Sequence, residues 1–99
     1  YIGISAFSNC KSLTEIEIPN LIVNVRSWAF SGCEKLERVE LPKSLKQIDS
    51  EAFSDCIELK SIVIPSQVKQ IEWAAFYGCI NLEDIKFEGS PEYIGDANM

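Results

Sequence analysis

Hydrophobic residues recur along this chain with a period of 23 residues. The clearest part of the pattern is an Ala-Phe pair, with a cysteine three residues after the phenylalanine and a leucine three residues after the cysteine. Its copies begin at Ala6, Ala29, Ala52 and Ala75. A fixed period of about 20–29 residues is typical of solenoids, in which one coil cannot bury its apolar face alone and stacks on its neighbours. We therefore predict a solenoid with one coil per repeat.

Each repeat contains a predicted strand with the pattern Leu-x-x-Ile-x-Ile. Its last apolar positions alternate with outward positions, as they do in a half-buried strand. Pro19, Pro42 and Pro65 follow three of the strands and stop them, because proline has no N–H to donate to a ladder. A second apolar pair, such as Leu45 and Ile48, predicts a shorter extended segment. Stacked coils would align the strands as a parallel sheet on one face.

The Ala-Phe corner is predicted to form a single helical turn. Ser27 and Ser50 lie two residues before the alanine, where a serine hydroxyl can cap the first N–H groups of a helix. The position before each cysteine is held by residue types that readily accept a positive φ: Asn9, Gly32, Asp55 and Gly78. The predicted fold is therefore an α/β solenoid, with the parallel sheet on one face and short helical turns and extended segments on the other.

The complete unit, L-x-x-I-x-I-P-x-x-[LV]-x-x-I-x-x-x-A-F-x-x-C, resembles the BspA-like class of leucine-rich repeats over essentially the whole chain. The Ala-Phe-x-x-Cys turn and the proline after the strand separate this class from ordinary leucine-rich repeats. The resemblance implies a cell-surface or secreted protein of bacteria or some protozoa, often linked to adhesion to host or other cells, with no catalytic residues. Glu88 replaces the strand-end proline and Pro91 replaces the next Leu or Val, so the last repeat is degenerate.

Residues 1–99 are expected to form a single array of about four repeats, a fragment of a longer one, because Tyr1 falls in mid-repeat and Met99 falls in the phenylalanine column. Such an array has two open sheet edges and apolar end coils. We therefore expect end-to-end self-association. The end residues in question are Ile2, Phe7 and Leu13 at one end, and Phe87, Ile94 and Met99 at the other.

Charge and hydropathy exclude two classes of partner. The net charge of −6 argues against nucleic acid, because phosphate binding requires a basic surface. The chain has no run of about 18 apolar residues, so we expect no membrane insertion.

Four cysteines in a short chain often indicate disulfides, but here the period places all four in one stacked column. Side chains in such a column run parallel, whereas a disulfide needs converging Cβ atoms. We therefore favour reduced, buried cysteines that act as small apolar residues. Their spacing fits no zinc site and the chain has no histidine, so no metal or cofactor is predicted.

No catalytic constellation is visible. Without histidine, this chain cannot form a Ser-His or Cys-His nucleophile, and we predict that it is not an enzyme. Asp49 and Glu72 are stacked neighbours that could bind calcium or raise each other's pKa, with Glu51 close in sequence. A solvated convex surface is the favoured interpretation of these carboxylates.

The outward strand residues are the first candidate binding surface, because repeat proteins commonly bind through this face. They form two columns: Glu15, Arg38, Ser61 and Asp84, then Glu17, Glu40, Val63 and Lys86. The face is polar, carries both signs and has no aromatic residue, so Arg38 is its best hot-spot candidate. A solvated face with Glu/Arg cross-strand pairs is an equally open interpretation.

Trp73 and Tyr77 form the alternative surface, on the convex side. They occupy columns that hold smaller or polar residues in other repeats, and an exposed apolar patch can mark an interface. Equally, they can pack beneath a neighbouring repeat or domain. The favoured function is a non-enzymatic protein-interaction or adhesion module whose partner is a host or cell-surface protein. The alternative is a structural spacer that holds another domain away from an anchor.

Overall fold

The structure, a computed structural model, describes residues 3–95. They form short strands joined by turns, and every paired strand runs parallel to its neighbour. The strands are β1 (Glu15–Glu17), β2 (Asn24–Val25), β3 (Arg38–Glu40), β4 (Gln47–Ile48), β5 (Ser61–Ile64), β6 (Gln70–Ile71), β7 (Asp84–Phe87) and β8 (Tyr93–Ile94). The odd-numbered strands follow the Cys-x-x-Leu segment, and the even-numbered strands are the short extended segments. This confirms the predicted solenoid of stacked strands.

The even-numbered strands form one continuous sheet in the order β2-β4-β6-β8. In each pair the partners are one repeat apart, as in Val25↔Ile48, Ile48↔Ile71 and Ile71↔Ile94. The buried members of this column, Val25, Ile48 and Ile71, are fully enclosed. The repeat period therefore sets the register, because a slip of one residue would turn this apolar column toward solvent.

The odd-numbered strands form the predicted sheet face, but as two separate pairs, β1–β3 and β5–β7. At the first junction the Glu37 N–H donates to the Thr14 carbonyl over 2.7 Å, and at the last junction Glu83 donates to Lys60 over 2.9 Å. No corresponding bond joins Lys60 to Glu37 within residues 3–95. The sheet face is therefore open between the second and third coils in the sense that backbone hydrogen bonds are missing there, while β3 and β5 remain neighbours.

The prediction of helical turns at the Ala-Phe corners is wrong, because residues 3–95 contain no helix. Successive tight turns form each corner instead; for example, the Ala29 N–H donates to the Arg26 carbonyl over 3.1 Å. The next N–H, of Phe30, donates to Ala52 of the following coil over 2.8 Å. A helix would use that donor within its own turn. With no helix present, Ser27 and Ser50 are not N-caps.

Two columns of left-handed residues explain why the corner cannot be a helix. The predicted column is confirmed, with φ of 60° at Asn9, 76° at Gly32, 58° at Asp55 and 80° at Gly78. A second column, four residues earlier, was not predicted: φ is 59° at Ser5, 57° at Trp28, 56° at Glu51 and 56° at Ala74. A right-handed helix cannot contain a left-handed residue at such short intervals.

The phenylalanine column is the centre of the core. Phe7, Phe30, Phe53 and Phe76 form a continuous stack with ring centroids 5.2, 5.2 and 5.5 Å apart. Phe30 and Phe53 are completely buried, while Phe7 is 36% exposed. Burying one such ring contributes about 1.5–3 kcal/mol. The stack therefore supplies most stability where it has neighbours on both sides.

The four cysteines are free, and three of them are buried. Each buried thiol donates to a phenylalanine carbonyl of the preceding coil: Cys33 to Phe7 over 3.2 Å, Cys56 to Phe30 over 3.2 Å and Cys79 to Phe53 over 3.0 Å. Burial raises the pKa of the Cys33 thiol. The prediction of burial is wrong for Cys10, which is half-buried in the first coil.

The end coils bear on the expected self-association. Phe7, Phe87 and Ile94 are 36%, 38% and 46% exposed, and Leu13 is partly buried. Ile2 and Met99 lie outside the described residues. Self-association therefore stays a prediction. Residues 3–95 contain no apolar helix of a length that could cross a bilayer.

Candidate functional site

A groove of about 800 Å³ crosses the outward side of β1, β3 and β5, at the place where the sheet face is open. Because alternate strand residues point outward, the two predicted outward columns form its rim. Six of the eight predicted sheet-face residues line it: Glu15, Glu17, Arg38, Glu40, Ser61 and Val63. The other two, Asp84 and Lys86, lie outside it on β7.

The apolar part of the groove comes from the inward column of the same strands. Ile16 and Val39 are only partly buried there, and Ile62 is 3% exposed. Pro42 and Pro65 line the end of the groove, where each proline stops its strand. The groove thus combines a small amount of exposed apolar surface with a charged rim, and protein interfaces commonly contain both.

Acidic residues dominate the rim. Five exposed glutamates line the groove with one arginine and one lysine, a net charge of −3: Glu15, Glu17, Glu37, Glu40 and Glu88, with Arg38 and Lys43. None of these seven side chains forms a salt bridge within residues 3–95. A partner therefore meets an uncompensated acidic surface.

Arg38 lies directly opposite Glu15 in the β1–β3 register, yet the two charged groups form no ion pair. The expected Glu/Arg cross-strand pair is therefore absent from this part of the described chain. No hydrogen bond to the Arg38 guanidinium is formed within residues 3–95. The guanidinium carries five N–H donors in a planar fork, which suits a carboxylate or carbonyl group.

The second outward column begins with two carboxylates. Glu17 and Glu40 are register partners on the same face of β1 and β3. The next residue in the column, Val63, is 45% exposed. Like charges placed directly opposite each other on a sheet destabilise it. This feature is unexplained by contacts within residues 3–95.

The alternative convex surface is exposed as well. Trp73 and Tyr77 are 52% and 48% exposed, so about half of each residue is left open to solvent by the described chain. Trp28, at a left-handed position of the same corner, is 44% exposed. None of the three lines a cavity with the sheet-face residues. The exposed aromatic residues of the corners are thus separate from the groove.

The convex carboxylates do not assemble into a site. Both oxygens of Asp49 are engaged: Oδ2 lies 3.2 Å from Arg26 Nε, and Oδ1 accepts a 2.6 Å hydrogen bond from Gln47 Nε2. Glu72 does not join them. Within residues 3–95, no group of three or more His, Cys, Asp or Glu side chains is placed to hold a metal ion.

Three charged groove residues were not among the predicted sites: Glu37, Lys43 and Glu88. Glu88 had a visible signal, because it stands where the other repeats have a proline and adds a charge to the end of the groove. Glu37 and Lys43 lie just outside the strand. Nothing in the period indicates that the sheet opens beside them.

Known proteins place this geometry in a family. The profile of the BspA type leucine rich repeat region matches residues 1–98 in 6 copies. No curated protein sequence matches the chain.

Solved structures of bacterial proteins share the fold. A leucine rich cell surface protein from Faecalibacterium prausnitzii A2-165 is 34% identical, with a TM-score of 0.84 over 87% of this chain and 22% of its own. A leucine-rich repeat protein from Bacteroides ovatus is 32% identical, with a TM-score of 0.71 over 85% of this chain and 28% of its own.

The leucine rich repeat protein of T. pallidum is 26% identical, with a TM-score of 0.60 over 93% of this chain and 64% of its own. The chain therefore spans less than a third of the length of the first two proteins. The repeat pattern, the stacked strands and the profile match agree, and the chain belongs to the BspA-type leucine-rich repeat family.

Proposed function

We propose that this chain is a non-enzymatic protein-interaction module of a cell-surface or secreted protein and that its sheet-face groove holds the partner. The observation that carries the proposal is the groove itself. It is concave, includes partly exposed apolar residues, and collects six of the eight outward residues that the repeat pattern singled out. Specific protein interfaces combine apolar contacts with a polar rim.

Family membership supports the proposed location at the cell surface, and the role in adhesion is part of the same proposal. The Faecalibacterium protein, described as a cell surface protein, shares 34% identity with this chain. The partner would then be a protein on a host cell or on another cell. Asp84 and Lys86 on β7 lie beyond the groove and would contact only the periphery of such a partner.

Arg38 is the residue with the largest expected role. It is central on the rim and its guanidinium is not engaged by residues 3–95. On binding it can donate to a carboxylate or a main-chain carbonyl of the partner without first losing an internal ion pair. Mixed charge on the rim contributes to specificity and association rate more than to raw affinity.

The test is a binding screen of the purified chain against purified extracellular-matrix and cell-surface proteins. Each partner is then measured against Arg38→Glu and against Lys35→Glu, which makes the same charge change at an exposed position away from the groove. We expect Arg38→Glu to lower the affinity for a partner and Lys35→Glu to leave that affinity unchanged. Equal effects of the two variants would contradict it, and the absence of any partner would favour the spacer.

A further inference from the structure

Glu17, Glu40 and Val63 form one outward column in which two carboxylates are followed by an apolar side chain. Residues that only contact solvent do not require this order. Glu17 and Glu40 are paired in register on neighbouring strands, so their Cα atoms lie about 5 Å apart. No cation of residues 3–95 forms a salt bridge with either carboxylate. Val63, the next residue in the column, leaves 45% of its surface exposed.

The shape of the surface strengthens this arrangement. All three residues line the groove, whose rim has a net charge of −3, and a concave surface of one sign concentrates its field. The β5 strand that carries Val63 is not paired with β3, which carries Glu40. Val63 therefore follows Glu40 on the same outward face, across the junction where the two strands lack backbone pairing.

From this order we infer that the groove binds a lysine or arginine side chain of an extended segment of the partner protein. Glu17 and Glu40 hold the cationic head, and the aliphatic stem packs on Val63. Long cationic side chains commonly lay their stems on apolar surface while the head bonds to charged groups. The cation also removes the repulsion between the two glutamates. This inference rests on the proposed function of the groove and specifies the chemistry of its partner.

Other ligands fit the column less well. A metal ion would require further oxygen ligands, and residues 3–95 hold no group of three or more metal-binding side chains. An anionic partner would meet five glutamates and only two cations. A wholly apolar segment would bury unpaired carboxylates, which is costly. A side chain with an apolar stem and a positive head satisfies both parts of the column.

The experiment titrates the ¹⁵N-labelled chain with a blocked lysine octapeptide and, separately, with a blocked glutamate octapeptide, at physiological ionic strength. The first peptide should shift the amide signals of Glu17, Glu40 and Val63, and the second should not. A double variant, Glu17→Gln with Glu40→Gln, should lower the affinity for the lysine peptide about tenfold. Its resistance to urea should be unchanged or higher, because the like-charge pair is gone.

The matched control is Glu58→Gln with Glu92→Gln, which removes the same charge at exposed positions outside the groove. It should leave the affinity within about twofold, because the field at distant exposed sites is screened by salt. Equal weakening in both double variants would overturn the inference in favour of non-specific charge attraction. Failure of the lysine peptide to bind, or shifts confined to other surfaces, would also overturn it.

The proposed function can survive that result. If the lysine peptide fails while a protein partner still depends on Arg38, the cationic subsite is wrong and the groove remains the binding surface. If the partner depends on neither Arg38 nor the two glutamates, both the subsite and the proposed groove are wrong.

Discussion

Phe30 and Phe53 stack with ring centroids 5.2 Å apart and ring planes within 3° of parallel, and both are completely buried. They lie one repeat apart, so this contact repeats wherever two coils adjoin. The phenylalanine stack thus connects the coils through the core, while the hydrogen bonds of the strands and corners connect them through the backbone.

The first prediction concerns this stack. Phe53→Ala should lower the free energy of unfolding by about 3–5 kcal/mol, because it removes a ring with partners on both sides. Phe7→Ala should cost much less, since Phe7 is 36% exposed and stacks on one ring within residues 3–95. Urea unfolding monitored by circular dichroism measures both. Equal destabilisation would contradict the stacked-coil account of stability.

The second prediction concerns access to the thiols. Cys10 is half-buried, whereas Cys33, Cys56 and Cys79 are buried and donate to carbonyl groups. Titration with a thiol reagent should therefore find one readily reactive cysteine in the native protein and four in denaturant. A disulfide between neighbouring cysteines, found by mass spectrometry, would show that the column is not a reduced ladder.

The third prediction follows from the raised pKa of Cys33, which burial keeps protonated in the native state. In the unfolded state this thiol ionises near its ordinary pKa of about 8.5. Its contribution to stability is therefore complete below about pH 8.5 and declines as the pH rises above that value. Urea unfolding at increasing pH should show a smaller alkaline loss of stability in Cys33→Ala than in the wild type. Identical pH profiles would contradict a buried, protonated Cys33.

The fourth prediction addresses the second left-handed column. Glu51 has a φ of 56°, which disfavours a residue with a Cβ atom. Glu51→Gly should raise the free energy of unfolding by about 0.5–1 kcal/mol, because the left-handed cost of about 1–2 kcal/mol that a Cβ atom imposes exceeds the extra chain entropy that glycine loses on folding. The adjacent Ser50→Gly should lower it, since Ser50 does not have a positive φ. If both glycines destabilise the protein equally, Glu51 is not strained.

A positive φ could be predicted from the sequence in one of the two left-handed columns but not in the other. Asn9, Gly32, Asp55 and Gly78 are residue types that accept a positive φ, so their column was predictable. Trp28 and Glu51 are not such types, and their backbone conformation is imposed by the stacking of the corner on its neighbours. The same stacking hydrogen bonds replace the helix that the Ala-Phe pattern had favoured.

The candidate site also has one part that could be predicted from the sequence and one that could not. The alternation of strand residues placed Arg38, Glu40 and Val63 on one face, and the structure brings them together around the groove. The break in backbone pairing between β3 and β5, which lies within the groove, was not predictable, because the repeat is as regular at that junction as at the one before it. Only Glu88, an acidic residue in a proline column, indicated that this end of the face differs.

The fifth prediction tests the central claim, that the groove and not the aromatic corner binds the partner. Arg38→Glu should weaken the binding free energy of a confirmed protein partner by about 2–5 kcal/mol if the Arg38 side chain is buried in the complex. The same change should alter the stability of the free chain by no more than about 1 kcal/mol, because Arg38 is exposed and forms no ion pair within residues 3–95.

The decisive measurement is the dissociation constant of that partner for Arg38→Glu and for a Trp73→Ser, Tyr77→Ser double variant, side by side in one calorimetric titration series. Arg38→Glu should lose much of its affinity and the double variant almost none, because Trp73 and Tyr77 do not line the groove. Unchanged binding by Arg38→Glu, with binding abolished in the double variant, would contradict this claim and place the interface on the aromatic corner.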